Sequence, residues 1–240
     1  PPRYFAMMKK LNREGPAILG HLPAPPHISA TRLDDVLASQ ALVVDIRRAD
    51  VAANRYIPGT LNVPLNKSFV GWSGWLIDYA RDVYLLCDDS DDATVRAAAA
   101  ELAMIGLDRV VGWFGAEAFT AWSAAGREFD SVEQIDPPTL AEWLRHDAIT
   151  LVDVRAGSEW QAGHIAEAVN APLGRLADVL PQLASKHRIV MQCQGGARSA
   201  IAASLARLHG IAPVVNLRGG IQAWQAAELP VETTLSSVSA

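Results

Sequence analysis

A pattern that occurs twice constrains the fold of this 240-residue chain more than any other feature of its sequence. Two apolar runs each end in Asp-x-Arg, and the aspartates of these motifs, Asp45 and Asp153, are 108 residues apart. Farther along, Cys87 and Cys193 each end another apolar run, and here the spacing is 106 residues. A slowly drifting offset is what loop insertions produce after a domain has been duplicated. The sequence therefore predicts two similar domains.

The repeat sets the expected domain organisation. We expect a Pro-rich segment at residues 1–27, a first domain at 28–129 and a second domain at 130–240, with Asp130–Pro138 as the linker. In each half, short apolar runs alternate with helical segments, which is typical of a parallel sheet covered on both faces by helices. The predicted fold class is α/β, with two tandem domains of this kind. Ligands of such sheets bind at the carboxyl ends of the strands, where both cysteines fall.

Composition and charge exclude several classes of function. The formal net charge of −5, with no local run of Lys or Arg, gives no surface for binding nucleic acid. No apolar run reaches the roughly 18 residues that a membrane span needs, so we expect no membrane partner. The two cysteines exclude a disulfide framework, although not a single bridge, and two free thiols in a cytoplasmic protein is the simpler interpretation. No group of His, Cys and Asp residues has metal-ligand spacing, so we expect this chain to bind no metal or other cofactor.

The first 27 residues are rich in proline and glycine. Gly15-Pro16 and residues 22–26 (Leu-Pro-Ala-Pro-Pro) predict an extended strap. A disordered terminus is the alternative. Apolar side chains near the start, among them Tyr4 and Phe5, favour a strap that packs against something.

The segment from Cys193 to Ser199 (Cys-Gln-Gly-Gly-Ala-Arg-Ser) lies between a predicted strand and a predicted helix. Gly195 and Gly196 allow successive backbone N–H groups to turn inward, and the helix start adds the positive end of its dipole. Arg198 adds a fixed cation. Together these groups are expected to stabilise a Cys193 thiolate and to hold an anion above its sulfur, which makes Cys193 the candidate nucleophile. The alternative is a buried, inert cysteine at the end of a core strand.

Three further motifs accompany this segment: Asp153-x-Arg155, Gly163-His164-Ile165 and Leu217-Arg218-Gly219-Gly220-Ile221-x-x-Trp224. In combination, the four motifs resemble the rhodanese family of sulfurtransferases, over nearly all of residues 130–240. The resemblance implies that Cys193 accepts sulfane sulfur as a persulfide and passes it to a thiol, sulfite or cyanide. The implied partners are small sulfur-containing anions and low-molecular-weight thiols. The resemblance also implies that a loop of six residues surrounds the persulfide: Gln194, Gly195, Gly196, Ala197, Arg198 and Ser199.

The length of this loop bears on a rival class of enzyme. Four residues separate Cys193 from Arg198, whereas the related Cys-dependent phosphatases place five there for a bulkier phosphate. A phosphatase or arsenate reductase is therefore disfavoured, but it stays the alternative enzyme. A non-enzymatic docking module is the third hypothesis.

Other residues of these motifs have predicted supporting roles. Asp153 and Arg155 are expected to form a charge pair that braces the loop rather than to take part in the chemistry. His164 is expected to be a hydrogen-bonding residue at a strand start rather than a general base. Trp224 is expected to be a core residue.

The first copy departs from the rhodanese pattern. Its loop from Cys87 to Arg96 contains no glycine, and four carboxylates stand where an anion would dock. These acidic groups would repel thiosulfate and oppose thiolate formation at Cys87. We therefore expect the first domain to be a degenerate, non-catalytic rhodanese-like domain with a structural or docking role.

A second resemblance concerns the beginning of the chain. Residues 3–26 are similar to the segment that follows the metallo-β-lactamase-fold domain in fusion proteins, which continue with an inactive and then an active rhodanese domain, the order expected here. The resemblance implies that this chain is the sulfurtransferase part of a larger polypeptide of the persulfide dioxygenase–sulfurtransferase type. A metal-binding domain of the same polypeptide would then be its partner. The metal motif of such a domain, His-x-His-x-Asp-His, is absent from this chain.

Overall fold

The computed structural model of the chain describes residues 3–15, 20–88, 92–146, 148–183 and 187–233. The chain divides into two compact units, Pro1–Asp130 and Ser131–Ala240. This division falls one residue from the boundary between 129 and 130 that the sequence repeat indicates.

The first unit is built around a parallel sheet. In the part that the structure describes, this sheet has four strands in the order β2-β1-β3-β4, which are β1 (Leu42–Asp45), β2 (Thr60–Asn62), β3 (Val83–Leu86) and β4 (Val110–Phe114). The described helices of this unit are α1 (Arg3–Glu14), α2 (Leu33–Ala38), α3 (Ala49–Asn54), α4 (Phe69–Leu76), α5 (Asp92–Ala103) and α6 (Glu117–Ala124).

Burial of β1 shows why the apolar runs become strands of a covered sheet. All four residues of β1 are buried, and Val44 pairs in parallel register with Leu61 of β2 and Leu85 of β3. A strand with helices on both faces needs apolar side chains at consecutive positions rather than at alternate ones. One core cluster of this unit consists of Leu33, Val36, Val43, Ile57, Leu86, Phe114, Ala118 and Phe119.

The second unit has a larger parallel sheet. Its described strands run in the order β5-β9-β8-β6-β7 and are β5 (Glu133–Ile135), β6 (Ile149–Asp153), β7 (Val169–Asn170), β8 (Arg188–Gln192) and β9 (Val214–Leu217). The helices that the structure describes here are α7 (Pro137–His146), α8 (Gly157–Ala162), α9 (Leu176–Leu183), α10 (Ala197–Leu208) and α11 (Gly220–Ala226). Its core cluster consists of Ile135, Leu140, Leu151, Ile165, Ala168, Val190, Val215, Leu217, Ile221 and Trp224.

The predicted fold class is confirmed, since both sheets are parallel and are flanked by helices. The correspondence between the halves extends beyond the repeat seen in the sequence. Residues 26–28 run parallel to β4, where the amide of Ile28 donates to the carbonyl of Trp113 (2.8 Å) and the amide of Trp113 donates to the carbonyl of Pro26 (3.0 Å). They lie beside β4 as β5 lies beside β9 in the second unit.

The expectation of an extended strap at residues 1–27 is wrong for Arg3–Glu14, which form α1. The prolines of this segment lie at positions 1, 2, 16, 23, 25 and 26. The interval 3–14 therefore has no helix breaker, and it is rich in residues such as Met, Lys and Leu that favour helices. Positions 1, 2 and 16–19 lie outside the described residues.

The expected linker at Asp130–Pro138 is also partly wrong. Glu133–Ile135 form β5, which pairs with β9 and covers its edge. Helix α7 then begins directly at Pro137. Proline suits the first turn of a helix because its missing N–H group would have no intrahelical partner there.

Among the residues that the structure describes, no helix is long and apolar enough to cross a membrane.

Candidate active site

Cys193 follows the central strand of the second sheet. Strand β8 lies between β9 and β6, and its residues from Ile189 to Gln192 are buried. Cys193 itself is 1% exposed. The strand therefore fixes the cysteine at the carboxyl edge of the sheet, where parallel sheets bind their ligands.

Two hydrogen-bond donors point at the sulfur of Cys193. The amide of Gly196 lies 3.1 Å from Sγ, and the hydroxyl of Ser199 lies 3.4 Å from it. The Ser199 hydroxyl is also 3.1 Å from the carbonyl oxygen of Gly196, so its one proton is shared between two acceptors. Donors directed at a sulfur stabilise its negatively charged form. The predicted grouping of Cys193 with this loop is thus seen in the contacts.

The backbone at Gly196 depends on the absence of a side chain. Gly196 has φ +97° and is the residue immediately before α10. A Cβ atom there would lie 3.2 Å from the backbone nitrogen of Gly219. The positive φ lets the chain pass directly from the amide that faces the sulfur into α10, and this conformation is unfavourable for other residues.

Two amides at the start of α11 donate hydrogen bonds to the loop that begins at Cys193. The amide of Ile221 donates to the carbonyl of Cys193 (2.8 Å), and the amide of Gln222 donates to that of Gln194 (3.1 Å). A Cβ atom on Gly220 would lie 2.1 Å from the carbonyl oxygen of Cys193. Gly220 therefore allows α11 to approach the loop closely, which its place in the sequence did not indicate.

Asp153 and Arg155 form a buried ion pair beneath the loop. Nη2 of Arg155 donates to Oδ2 of Asp153 (2.6 Å) and to the carbonyl of Gly163 (2.7 Å), while Nη1 contacts Oε1 of Gln194 (3.4 Å). The side-chain amide of Asn170 donates to the carbonyls of Asp153 and Arg155. The contact with Gln194 joins this ion pair to the loop, the arrangement expected of a brace.

Arg198 differs from its expected state. The sequence suggested a cation that holds a bound anion, but the Arg198 guanidinium is bidentate with Glu159, with Nη1–Oε2 and Nη2–Oε1 distances of 2.7 Å each. This hydrogen bonding raises the pKa of Arg198, and the charges of Glu159 and Cys193 act in the same direction. The same bonds with Arg198 hold the pKa of Glu159 below its ordinary value. Arg198 therefore lies within electrostatic range of the sulfur while its described hydrogen bonds go to a carboxylate.

The sequence did not identify Glu159 as a residue of the site, because Glu159 lies 39 positions before Arg198, in α8. One signal was available in the sequence. Glu159 stands three residues after Ala156, the residue before the helix, and its Oε2 accepts the Ala156 amide (3.0 Å). An acidic residue at this position commonly stabilises a helix start.

His164 and Trp224 have structural contacts. His164 is 6% exposed, its ring stacks on Trp160 at 3.8 Å between centroids, and its Nδ1 donates to the carbonyl of Trp160 (2.9 Å). The indole nitrogen of Trp224 donates to the carbonyl of Pro230 (2.8 Å), and its ring belongs to the core cluster.

The first unit repeats the brace but not the sulfur site. Arg47 pairs with Asp45 as Arg155 pairs with Asp153, with Nη2–Oδ2 at 2.6 Å in both. The Sγ of Cys87, however, donates to the carbonyl of Phe114 across 3.8 Å, a contact that suits a neutral thiol. Neither Cys87 nor Cys193 is in a disulfide, and both are buried.

Two further contacts distinguish the first unit from the second. The guanidinium carbon of Arg47 lies 4.1 Å from the ring centre of Phe119. Arg96 is paired with Asp92 at an exposed position of α5 (2.6 Å). The middle of the predicted acidic loop, residues 89–91, lies outside the described residues.

The fold and the contacts of Cys193 define an α/β domain that presents a cysteine sulfur to a loop of N–H and O–H donors. Residues 136–227 match the family model described as a rhodanese-like domain. A sulfurtransferase from Allochromatium vinosum is 33% identical over 101 residues, which are 42% of this chain and 94% of that protein. The chain belongs to the rhodanese family, and the matches support a sulfurtransferase-type function.

A second curated protein and a solved structure are also similar to part of this chain. An uncharacterized protein from Synechocystis sp. is 40% identical over 101 residues, or 42% of this chain, and the chain spans 56% of the length of that relative. The crystal structure of a rhodanese-related protein from Thermoplasma volcanium is 31% identical, and the match covers 42% of this chain and 97% of that chain with a TM-score of 0.39.

Proposed function

We propose that the second unit moves sulfane sulfur from thiosulfate or a low-molecular-weight persulfide, through a persulfide on Cys193, to a thiol, sulfite or cyanide. The observation that carries this proposal is the pair of donors, the Gly196 amide and the Ser199 hydroxyl, at 3.1 and 3.4 Å from Cys193 Sγ. Such donors stabilise a thiolate, which is the nucleophilic form of cysteine.

The first half of the reaction loads the cysteine. The Cys193 thiolate attacks the outer sulfur of the donor, a new S–S bond forms on Cys193, and the S–S bond of the donor breaks. The electron pair of the broken bond leaves with sulfite when the donor is thiosulfate, or with a thiolate when the donor is a persulfide. The charge is conserved, and no oxidant or reductant is required.

The second half returns the cysteine to its initial state. The acceptor attacks the outer sulfur of the Cys193 persulfide, and the electron pair of that S–S bond goes back to the Cys193 sulfur. The outer sulfur of the persulfide carries the negative charge, so N–H groups at the start of α10 are suited to hold it between the two steps.

Turnover assays distinguish this proposal from the other two hypotheses. We expect the chain to form thiocyanate from thiosulfate and cyanide, or to transfer sulfur from a persulfide to a thiol, and we expect Cys193→Ser to abolish both. Hydrolysis of an aryl phosphate that depends on Cys193 would instead support a phosphatase. Absence of all three activities in the folded protein would support a docking module.

We also infer that the first unit is a non-catalytic rhodanese-like domain. The inference is supported by the Cys87 thiol, which donates to the Phe114 carbonyl where Cys193 accepts from Gly196. A thiol held in this way is less nucleophilic than a thiolate. Sulfur transfer by the Cys193→Ser variant would contradict the inference.

The proposed partner in the same polypeptide rests on the resemblance of residues 3–26 alone. We propose that the gene encodes a metallo-β-lactamase-fold domain upstream of this chain. An upstream His-x-His-x-Asp-His motif in the reading frame would support the proposal. An open reading frame without one would contradict it and would leave the assignment of Cys193 unchanged.

A further inference from the structure

The positive charge of Arg198 is already paired with the carboxylate of Glu159. Both terminal nitrogens of its guanidinium donate to the two carboxylate oxygens of Glu159 at 2.7 Å. The side chains of Arg198 and Glu159 are 23% and 35% exposed, so the pair is partly shielded from water. A bidentate pair of this kind is among the stronger charge-assisted hydrogen bonds in proteins.

Glu159 is held in place independently of Arg198. Its Oε2 accepts the amide of Ala156, the residue that precedes α8. The carboxylate is thereby fixed at the start of a short helix rather than free to swing into solvent. An anion that approaches Arg198 meets this fixed negative charge as well as the cation.

Two other arginines of the second unit also interact with carboxylates. Arg155 is paired with Asp153 at 2.6 Å in the buried brace. Arg218, which follows β9, interacts electrostatically with Asp136. Within the described residues, the loop around Cys193 thus offers backbone and hydroxyl donors to a sulfur, but the guanidinium of Arg198 is engaged with Glu159.

We propose that Glu159 is a specificity-determining residue of the Cys193 site, which engages Arg198 and so favours sulfur donors of low charge, such as alkyl persulfides, over the thiosulfate dianion. This inference rests on the proposed sulfurtransferase function and names the class of donor that it takes. Thiosulfate brings two negative charges, and it must either displace Glu159 from Arg198 or bind beside the carboxylate. An alkyl persulfide carries at most one negative charge, on its own sulfur, so both penalties are smaller for it than for the thiosulfate dianion.

The test compares two donors in wild type and in Glu159→Gln. The glutamine keeps an oxygen for the Ala156 amide and removes the charge. We expect kcat/KM with thiosulfate to rise about tenfold, and kcat/KM with the persulfide of 2-mercaptoethanol to change less than about threefold. We also expect added salt to lower the thiosulfate rate more in the variant than in wild type, because a free guanidinium attracts the dianion.

Two control variants separate this effect from a general change of charge or structure. Asp50→Asn removes one negative charge from another bidentate pair, that of Asp50 with Arg48 (3.0 and 3.0 Å), in the first unit. We expect its ratio of the two kcat/KM values to equal that of wild type. Glu159→Asp keeps the negative charge, and we expect it to retain the wild-type preference between donors.

The outcomes separate this inference from the proposed function. If wild type takes sulfur from neither donor, the proposed function is wrong. If wild type uses the persulfide but Glu159→Gln gains nothing with thiosulfate, or gains equally with both donors, only the role of Glu159 is wrong. Circular dichroism of each variant shows whether the fold is retained, and the ratio between donors is independent of the fraction of folded protein.

Discussion

The amide of Gly196 donates a hydrogen bond to the sulfur of Cys193 across 3.1 Å. Gly196 also has φ +97°, a backbone conformation that a glycine adopts readily and other residues do not. The chemistry proposed for Cys193 therefore depends on a position that has no side chain.

Replacement of Gly196 by alanine is expected to damage both activity and stability. The added Cβ would lie 3.2 Å from the nitrogen of Gly219, and the positive φ would cost about 1–2 kcal/mol. Because relief of this strain would shift the loop and its Gly196 amide away from the sulfur, we expect kcat/KM for sulfur transfer to fall about tenfold to hundredfold.

Gly210→Ala is the matched control for this variant. Gly210 also has a positive φ (+76°), but a Cβ atom added there would have no atom within 4 Å of it. We expect a similar loss of stability in urea denaturation with kcat/KM unchanged. Equal losses of kcat/KM in both variants would show that backbone strain, rather than the Gly196 amide, limits activity.

Ser199→Ala tests the second donor on the sulfur. The Ser199 hydroxyl is 3.4 Å from Cys193 Sγ, and a hydrogen bond to a charged group contributes about 1.5–3 kcal/mol. We expect kcat/KM to fall about tenfold or more, whereas Ser204→Ala, on the same helix α10, is expected to have little effect on it. Full activity of Ser199→Ala would remove this hydroxyl from the proposed mechanism.

Loss of the buried Asp153–Arg155 ion pair is expected to lower chiefly the stability of the second unit. Asp153→Ala leaves the Arg155 guanidinium buried without its carboxylate, and loss of one partner of a buried ion pair costs about 3–5 kcal/mol. We expect the second unit to unfold at clearly lower urea concentration, as measured by hydrogen exchange of β6 and β8.

Asp45→Ala makes the equivalent change in the first unit, where Arg47 pairs with Asp45 at 2.6 Å. We expect a similar destabilisation of β1 and β3, with sulfur transfer of the folded protein retained. If Asp45→Ala abolished transfer in the folded protein, the first unit would have a larger part in catalysis than we propose.

The Glu159–Arg198 pair predicts a dependence of stability on pH. The hydrogen bond from Arg198 lowers the pKa of Glu159 in the folded protein from its ordinary value of 4.5. The pair therefore stabilises the folded state above that value and loses its contribution as the pH falls through the lowered pKa. Because both side chains are partly exposed, the contribution is below about 1 kcal/mol.

Urea denaturation of wild type and Glu159→Gln over a range of pH measures this contribution. We expect wild type to be the more stable protein at pH 7, and we expect the difference to shrink as the pH falls below 4.5 and through the lowered pKa of Glu159. A difference that grows toward low pH has the wrong sign for a carboxylate with a lowered pKa.

The sequence was sufficient for those parts of the site that are local in the chain. The apolar run that ends at Gln192, the two glycines after Cys193 and the helix start all lie within one short segment, and their geometry follows from strand burial and glycine conformation. The predicted pairing of Asp153 with Arg155 is likewise between near neighbours in the sequence.

Contacts between distant residues could not be predicted in the same way. The partner of Arg198 is 39 positions away, and nothing in the spacing of charges indicates that Glu159 points toward it. The close approach of Gly220 to the Cys193 carbonyl also depends on how α11 packs. Helix α1 was missed because the prolines on either side of it dominated the interpretation of residues 1–27.

The central claim is that Cys193 carries the transferred sulfur and Cys87 does not. The most direct measurement is mass spectrometry of the intact protein and of its peptides after incubation with thiosulfate or an alkyl persulfide, without an acceptor. We predict the addition of one sulfur atom, on the peptide that contains Cys193, in wild type and in Cys87→Ser, and no addition in Cys193→Ser. Addition of sulfur to Cys87 in Cys193→Ser, or an unmodified Cys193 in wild type with both donors, would contradict the account.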